Sequence, residues 1–356
     1  MPPRRRFGKR LVRSFLPIVL VVALAVVVAA ALIVYAISSP PRRSYLVTPD
    51  AFKQFSGPAV KVSDETWSNP DGSRARGWLL KGREGAPAVV LLHRYGADRS
   101  WLFNLGVKIN ETTGYTILWP DLRGHGLKPA VNWTSFGGRE SQDVLGALDF
   151  LRKLKSESKA KLIVDRFGIY GVELGAYAGL RAAQYDGEIK VLALDSIPRT
   201  PDELVGAAIK SNVGFDNSLV RRLSLIGLRL YLFRSYESVD ACSIANSLRD
   251  QKILLLSGSD AGYLRESTVS LAQCISNRSN LEVRPDLPLS GFNLPLATGE
   301  PVMLEKIAEM RVAAQQQGDI LVIVPADYVD IVKPLSDMEI IGTNGRVALI
   351  VVHHVR

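Results

Sequence analysis

The stretch Gly168-Ile-Tyr-Gly-Val-Glu-Leu-Gly-Ala-Tyr-Ala-Gly179 constrains this chain more than any other. A short apolar strand runs into a sharp turn over Gly171–Gly175, and a helix opens at Leu174. A strand that passes into a helix over so few residues folds its backbone back against itself. Glycine on either side of the turn removes the Cβ atoms that would collide there. The residue at the tip of the turn is Glu173.

The flanking sequence repeats the same alternation. Val60 to Lys81 reads as two strands around Asn69-Pro-Asp-Gly72, whose residues favour a turn. Ala86–Leu92 is the continuous apolar run of a buried parallel strand, and a helix is expected from Ser100. Tyr115–Trp119 is the next strand, and Glu140–Leu154 carries helical apolar spacing at Val144, Leu145, Leu148, Leu151 and Leu154. Strands at Lys190–Asp195, Lys252–Ser257 and Leu281–Arg284 follow, with helices at Glu266–Ser276 and Pro301–Gln316. Residues 199–245 interrupt the pattern with helical sequence alone. The expected fold is therefore α/β: a mostly parallel sheet with helices on both faces and a helical insertion. Residues 317–356 read as a β-rich extension, with strands at Ile320–Val324 and Arg346–Val352 and a hairpin signal at Gly342-Thr-Asn-Gly345.

The N-terminal part is of another kind. Phe15 to Ile37 is a run of 23 residues without a charge, long enough to cross a hydrocarbon core of roughly 30 Å. Residues 1–14 form a basic segment with six cations, and Arg42 and Arg43 follow the run. Under the positive-inside rule the N-terminus is cytoplasmic and the main domain extracytoplasmic. A cleaved signal peptide is the alternative, given Ala29-Ala30-Ala31, but the run exceeds the 7–15 residues of a signal's apolar region. Pro40-Pro41 closes the helix, and residues 38–59 are expected to be a linker to a domain over 60–316. The formal charge of +9 belongs to this end of the chain. Residues 1–43 carry eight Lys/Arg and no acid, leaving 36 Lys/Arg against 35 Asp/Glu elsewhere, so no nucleic-acid partner is expected.

Four motifs in order carry a resemblance to the α/β-hydrolase fold, in its serine aminopeptidase-like and esterase-like branch. Leu91-Leu-His-Arg-Tyr-Gly-Ala-Asp-Arg-Ser100 is similar to the His-Gly oxyanion loop, with Arg94 in the glycine's place. Asp121-Leu-Arg-Gly-His-Gly126 is similar to the loop after the next strand. Gly171–Gly175 resembles the G-x-S-x-G nucleophile elbow, and Leu255-Leu-Ser-Gly-Ser-Asp260 resembles the strand end bearing the triad acid. The resemblance makes residues 199–245 the cap over the substrate pocket. It places the nucleophile at Glu173, the acid at Asp260, the histidine at Phe292 or Asn293, and oxyanion donors at the N–H groups of Tyr95 and Leu174. His93 and Arg94 border the same pocket.

The residue types at these positions do not make a serine hydrolase. Such an enzyme needs a nucleophile, a base in hydrogen-bond reach and a group that orients the base. Here the serine is glutamate and the histidine is phenylalanine or asparagine. The four histidines are His93, His125, His353 and His354, so none lies between 125 and 353. Hydrolases of this fold with an aspartate at the elbow still need a histidine to activate water for the ester intermediate. The expectation is a pseudo-hydrolase that binds a small molecule or protein through the former pocket. The alternative is an active hydrolase with an unusual Glu173 site or with its machinery elsewhere; Ser196 and Ser257 also stand near strand ends. Arg94 either pairs with Glu173, as a structural ion pair or part of a polar ligand pocket, or faces solvent. His93 is expected to support the oxyanion loop, and Asp195 to serve turn chemistry. Cys242 and Cys274 either pair across the strand that leads to Asp260 or stay reduced. No metal spacing, phosphate loop or dinucleotide fingerprint is present, so no cofactor is expected.

Overall fold

The computed structural model describes residues 5–42, 44–46, 48–49, 61–214, 217–257, 264–285, 320–325, 338–343 and 347–352. The expectations at Asp260, Phe292, Asn293, His353 and His354, and the helix over 301–316, lie outside these residues.

Strands β1 (Val62–Ser68) and β2 (Arg74–Leu80) form an antiparallel pair around the turn at Asn69–Gly72, where the Gly72 N–H donates to the Asn69 carbonyl at 2.9 Å. β3 (Ala86–Leu92), β4 (Thr116–Asp121), β5 (Ile163–Val172), β6 (Ile189–Asp195), β7 (Lys252–Leu256) and β8 (Leu281–Arg284) complete an eight-stranded sheet in the order β1-β2-β4-β3-β5-β6-β7-β8. β2 meets β4 antiparallel, and every pairing from β4 to β8 is parallel. The chain winds one way from β3 to β4 and the other way from β5 onward. The strand order therefore reverses between β3 and β5, which is where open α/β sheets form a crevice at the carboxyl ends of their strands.

Helix α1 (Arg5–Ser38) precedes the sheet; α2 (Phe103–Thr113), α3 (Glu140–Arg152) and α4 (Leu174–Ala182) connect its first half. Alternate residues of the strands feed two apolar layers. Leu91, Ile117, Trp119 and Tyr170 join Phe103 and Val107 of α2 on one face. Val90, Leu92, Leu118 and Ile169 join Val144, Leu148 and the wholly buried α4 on the other. The insertion supplies α5 (Pro201–Val213), α6 (Ser218–Leu232) and α7 (Ala241–Ser247), and α8 (Leu264–Cys274) follows β7. Cys242 of α7 and Cys274 of α8 form a disulfide that encloses β7. Closing a loop over a separation of 32 residues stabilises by about 3–4 kcal/mol through the unfolded chain's lost entropy.

In the C-terminal part, β9 (Ile320–Pro325), β10 (Met338–Thr343) and β11 (Val347–Val352) make a separate antiparallel sheet in the order β10-β11-β9. The Gly342–Gly345 signal falls at the connection of β10 to β11. β10 itself went unread in the sequence, because Met338-Glu-Ile-Ile-Gly-Thr is short and breaks its alternation with paired isoleucines, and it carries a bulge between Ile340 and Gly342.

Phe15–Ser38 of α1 is the one helix among the described residues long and apolar enough to cross a membrane. It does not end in a loose linker. Val34, Ile37 and Ser38 are buried, and α1 packs along α5 and α6. The Tyr95 hydroxyl donates to the Ile37 carbonyl at 2.8 Å, and the Thr134 N–H to that of Ser38 at 2.9 Å. These are helix-end carbonyls that lack intrahelical partners. The stretch expected as a linker from residue 38 is correspondingly part of the domain where it is described. The Tyr45 hydroxyl donates to Asp121 at 2.8 Å, its ring meets Trp78 edge-on, and the Leu46 N–H donates to the Ser100 hydroxyl at 3.1 Å.

Candidate functional site

Glu173 stands between β5 and α4 with φ 47° and ψ −104°, a conformation that a residue with a Cβ adopts at a cost of about 1–3 kcal/mol. Its surroundings hold it there. The Glu173 N–H donates to the Asp195 carbonyl at the end of β6, and the Glu173 carbonyl accepts the Tyr177 N–H in the first turn of α4. A Cβ at Gly171 would lie 2.5 Å from the Ala176 nitrogen, and one at Gly175 would lie 2.3 Å from the Leu92 carbonyl oxygen. The two glycines thus let α4 press onto β3 and β5, and the strained residue between them points outward at the strand ends.

The neighbouring strand supplies the residue facing it. β3 ends at Leu92, and Arg94 Nη1 lies 3.8 Å from Glu173 Oε1, with the two side chains 40% and 22% exposed. The Arg94 guanidinium also sits 4.7 Å from the centre of the Trp101 ring, a cation–π contact. At 3.8 Å the ion pair is longer than a hydrogen bond and remains open to water. Tyr95 and Leu174, whose N–H groups the resemblance assigns to an oxyanion hole, follow β3 and open α4 respectively. The Tyr95 side chain is turned to another use: its ring stacks on Phe136, and its hydroxyl holds the end of α1 and meets Asn212 Nδ2 at 3.3 Å. Burial pushes that hydroxyl's pKa well above the ordinary tyrosine range. Trp101 and Asn212 were not singled out in the sequence. Asn212 reaches Tyr95 across 117 residues of chain, for which no periodicity gives a signal.

The two described histidines lie beneath this surface. His93 is wholly buried; its Nε2 accepts the Leu122 N–H at 3.1 Å, which leaves the proton on Nδ1 to donate to the Arg94 carbonyl at 2.8 Å. Burial pushes its pKa down to about 4. His125 meets His93 edge-on at 5.0 Å and Tyr95 at 5.7 Å, and its Nδ1 meets the Arg123 carbonyl at 2.9 Å. Burial and the nearby His93 push its pKa down to about 3. His93 is a brace between the loops after β3 and β4, and its ring nitrogens are both committed.

Asp195 and Ser196 form a further buried unit. The Tyr170 hydroxyl donates to Asp195 Oδ2 at 2.8 Å and the Ser196 hydroxyl to Oδ1 at 2.9 Å. Ser196 itself is buried and takes φ 52°. Ser257 is buried at the end of β7, its N–H donating to the Arg284 carbonyl at 3.5 Å. Asp195 therefore fixes the end of β6 under the elbow, and Ser196 has its hydroxyl directed to the Asp195 carboxylate.

A cavity of about 190 Å³ lies beyond His125, lined by Asp121, Arg123, His125, Lys128 and Asp143 among others, with neither Glu173 nor Arg94 in its wall. Its charges are largely tied into the framework. Arg123 Nη2 donates to Asp143 Oδ1 at 2.6 Å and Nε to Oδ2 at 3.1 Å, both side chains 3% exposed, and Arg123 also reaches Asp71 at 3.0 Å. Wholly buried Arg99 sits between the rings of Tyr45 and Trp78 and pairs with Asp121 at 3.3 Å. Among the described residues no group of three or more His, Cys, Asp or Glu is placed to hold a metal ion.

No protein-family model matches the chain. Among solved structures, an esterase of Pyrococcus furiosus superposes with a TM-score of 0.54 at 21% identity, covering 78% of this chain and 95% of that one. A second crystal form of that esterase gives 0.53 at 20% identity, over 75% and 94%. Among curated proteins, 103 residues are 33% identical to the anthranilate phosphoribosyltransferase of Staphylococcus carnosus. That is 28% of this chain, which spans about 30% of the transferase's length. The structural likeness and the strand order together make this an α/β-hydrolase fold.

Proposed function

We propose that this chain is a single-pass membrane protein that displays an α/β-hydrolase-fold domain outside the cytoplasm and binds a ligand or partner without turning it over. The observation that carries the reading is the state of the elbow. A carboxylate occupies the nucleophile's place, it is paired with Arg94, and the nearby ring nitrogens of His93 are committed to backbone groups. With no histidine between 125 and 353, the usual source of the base is missing. A carboxylate there would repel a developing oxyanion rather than stabilise it. The same pair suits recognition. The pair is partly open to water, and it offers an acceptor and a donor at a strained, well-braced position.

The membrane part of the reading rests on the charge-free span of α1 and the cations before it. The disulfide between Cys242 and Cys274 agrees with an oxidising compartment.

The test is hydrolysis of a panel of p-nitrophenyl esters and aminoacyl anilides by the full chain in detergent, beside Glu173→Gln. Removing α1 would strip the domain of Ile37 and Ser38, so the whole chain is the proper sample. The expected result is no turnover above the rate of a denatured control in either protein. Turnover lost in Glu173→Gln would make Glu173 a working carboxylate. Turnover kept in the variant would put the chemistry elsewhere.

A further inference from the structure

Helix α6 of the insertion has two apolar faces, and the domain covers one of them. Ser224, Leu228 and Leu232 are buried. Leu219, Leu223, Ile226 and Leu230 recur at helical spacing on another face, and Phe233 continues the line in the turn that follows. Leu219, Ile226, Leu230 and Phe233 are 65%, 57%, 76% and 74% exposed. A water-facing helix of a soluble domain carries polar residues at such positions, so a contiguous apolar stripe of this size marks an interaction surface.

Its place in the fold says what covers it. The same helix packs against α1, with Val34 seated over Gly227, where a Cβ would come within 2.7 Å of the valine. Residues 15–28 of α1 are exposed, and coverage by the domain sets in at Ile33 and Val34. About 20 residues suffice to cross a bilayer, so a span starting at Phe15 reaches the far interface at the level where α1 meets α6. Tyr35 and Tyr231, both exposed, stand at this level, the position tyrosine favours between hydrocarbon and water. Helix α6 also carries Arg221, Arg222 and Arg229 and no acidic residue; Arg222 and Arg229 lie together along one side of the apolar stripe in helical projection, and Arg229 Nη2 stands 3.6 Å from Asp202 Oδ2.

We infer that the exposed face of α6 lies in the surface of the phospholipid bilayer that α1 crosses, its apolar stripe among the acyl chains and Arg222 at the phosphate groups. The cap is then held at the membrane by two contacts, and the crevice between β3 and β5 opens beside the lipid surface. This rests on the reading of α1 as a membrane anchor.

The experiment places one nitroxide label at a time in the full chain, reconstituted in vesicles of phosphatidylcholine and phosphatidylglycerol. The labelled variants are Ile226→Cys, Leu230→Cys, Leu24→Cys in the span and Tyr185→Cys, an exposed site after α4. The native cysteines are joined to each other and do not compete for label. Accessibility to oxygen against a water-soluble nickel chelate reads each site's surroundings. The expected result is several-fold higher oxygen preference at 226 and 230 than at 185, approaching that at 24. Water-like values at 226 and 230 with a lipid-like value at 24 overturn the inference and leave the anchor standing. Protection from both reagents at 226 and 230 means a protein partner or second copy covers the stripe, and overturns it too. A water-like value at 24 removes the anchor itself. Each variant is accepted only if its thermal unfolding matches that of the unlabelled chain, and either of the two stripe positions alone decides the outcome.

Discussion

Charged groups at the carboxyl ends of β4 and β5 are handled in opposite ways. After β4, Arg123 and Asp143 are almost wholly buried and joined by two side-chain hydrogen bonds, and Asn69 Nδ2 and the Arg123 N–H add two more to the same carboxylate. After β5, Glu173 and Arg94 face each other 3.8 Å apart and partly in water. Both lie at the same edge of one sheet. A buried pair whose carboxylate accepts four hydrogen bonds fixes loops, whereas the pair on the strained, glycine-braced turn is longer and partly open to water. The difference separates framework from site more sharply than residue type does, since each is an arginine with a carboxylate.

Removing one partner tests this first and hardest. Arg123→Ala leaves Asp143 buried without its cation and is expected to cost about 3–5 kcal/mol, read as a lower denaturation midpoint of the full chain in detergent. A cost below about 1 kcal/mol would put this pair in the same class as the elbow pair.

The buried histidines extend the framework side of the comparison into pH. The folded state holds His93 neutral, with its pKa pushed down to about 4, while the unfolded ring titrates near 6.5. The unfolded chain therefore binds more protons in this window. The contribution of His93 is fully present above about pH 6.5 and is lost as pH falls towards 4, by up to about 1.4 kcal/mol per pH unit. His125 acts in the same direction. Asp143, with its carboxyl pushed up to about 6, acts oppositely, because its folded form takes up a proton before the unfolded form does. Measuring unfolding midpoints from pH 7 to 4 for the native chain and His93→Gln isolates the first contribution. The variant is expected to lose less stability over that range, and identical slopes would show that His93 titrates as freely folded as unfolded.

The smallest effect is expected at the candidate site. Glu173→Gln removes a charge from a part-exposed pair worth about 0.2–1 kcal/mol, so the unfolding midpoint should scarcely move. A loss comparable with that of Arg123→Ala would make Glu173 a structural brace and take away the reason for treating it as a binding group.

Much of this was legible in the sequence because it depends on neighbours along the chain. The turn at Gly171–Gly175 is dictated by two glycines whose Cβ atoms have nowhere to go, and the strand and helix on either side follow from their apolar spacing. The alternation from Ala86 to Arg284 implies the parallel sheet, and the charge-free run from Phe15 makes α1 a helix long enough to span a bilayer. That a glutamate stands at the tip of this turn is read from the sequence directly.

Contacts between distant parts of the chain were decided by the tertiary structure. Tyr95 was expected for its backbone N–H, yet its hydroxyl holds the Ile37 carbonyl, 58 residues away. Residues 38–59 read as linker because Pro40-Pro41 closes the helix, but within that stretch Tyr45 packs against Trp78 and the Ser38 carbonyl is satisfied by the Thr134 N–H of the domain. Of the apolar positions in α6, the sequence alone does not say which face is covered. That choice is made by packing against α1 and α5, since a helix with two apolar faces can bury either one. Local conformation follows from each residue's own backbone and spacing; partners across the fold are set by which surfaces meet, and composition and periodicity do not encode that.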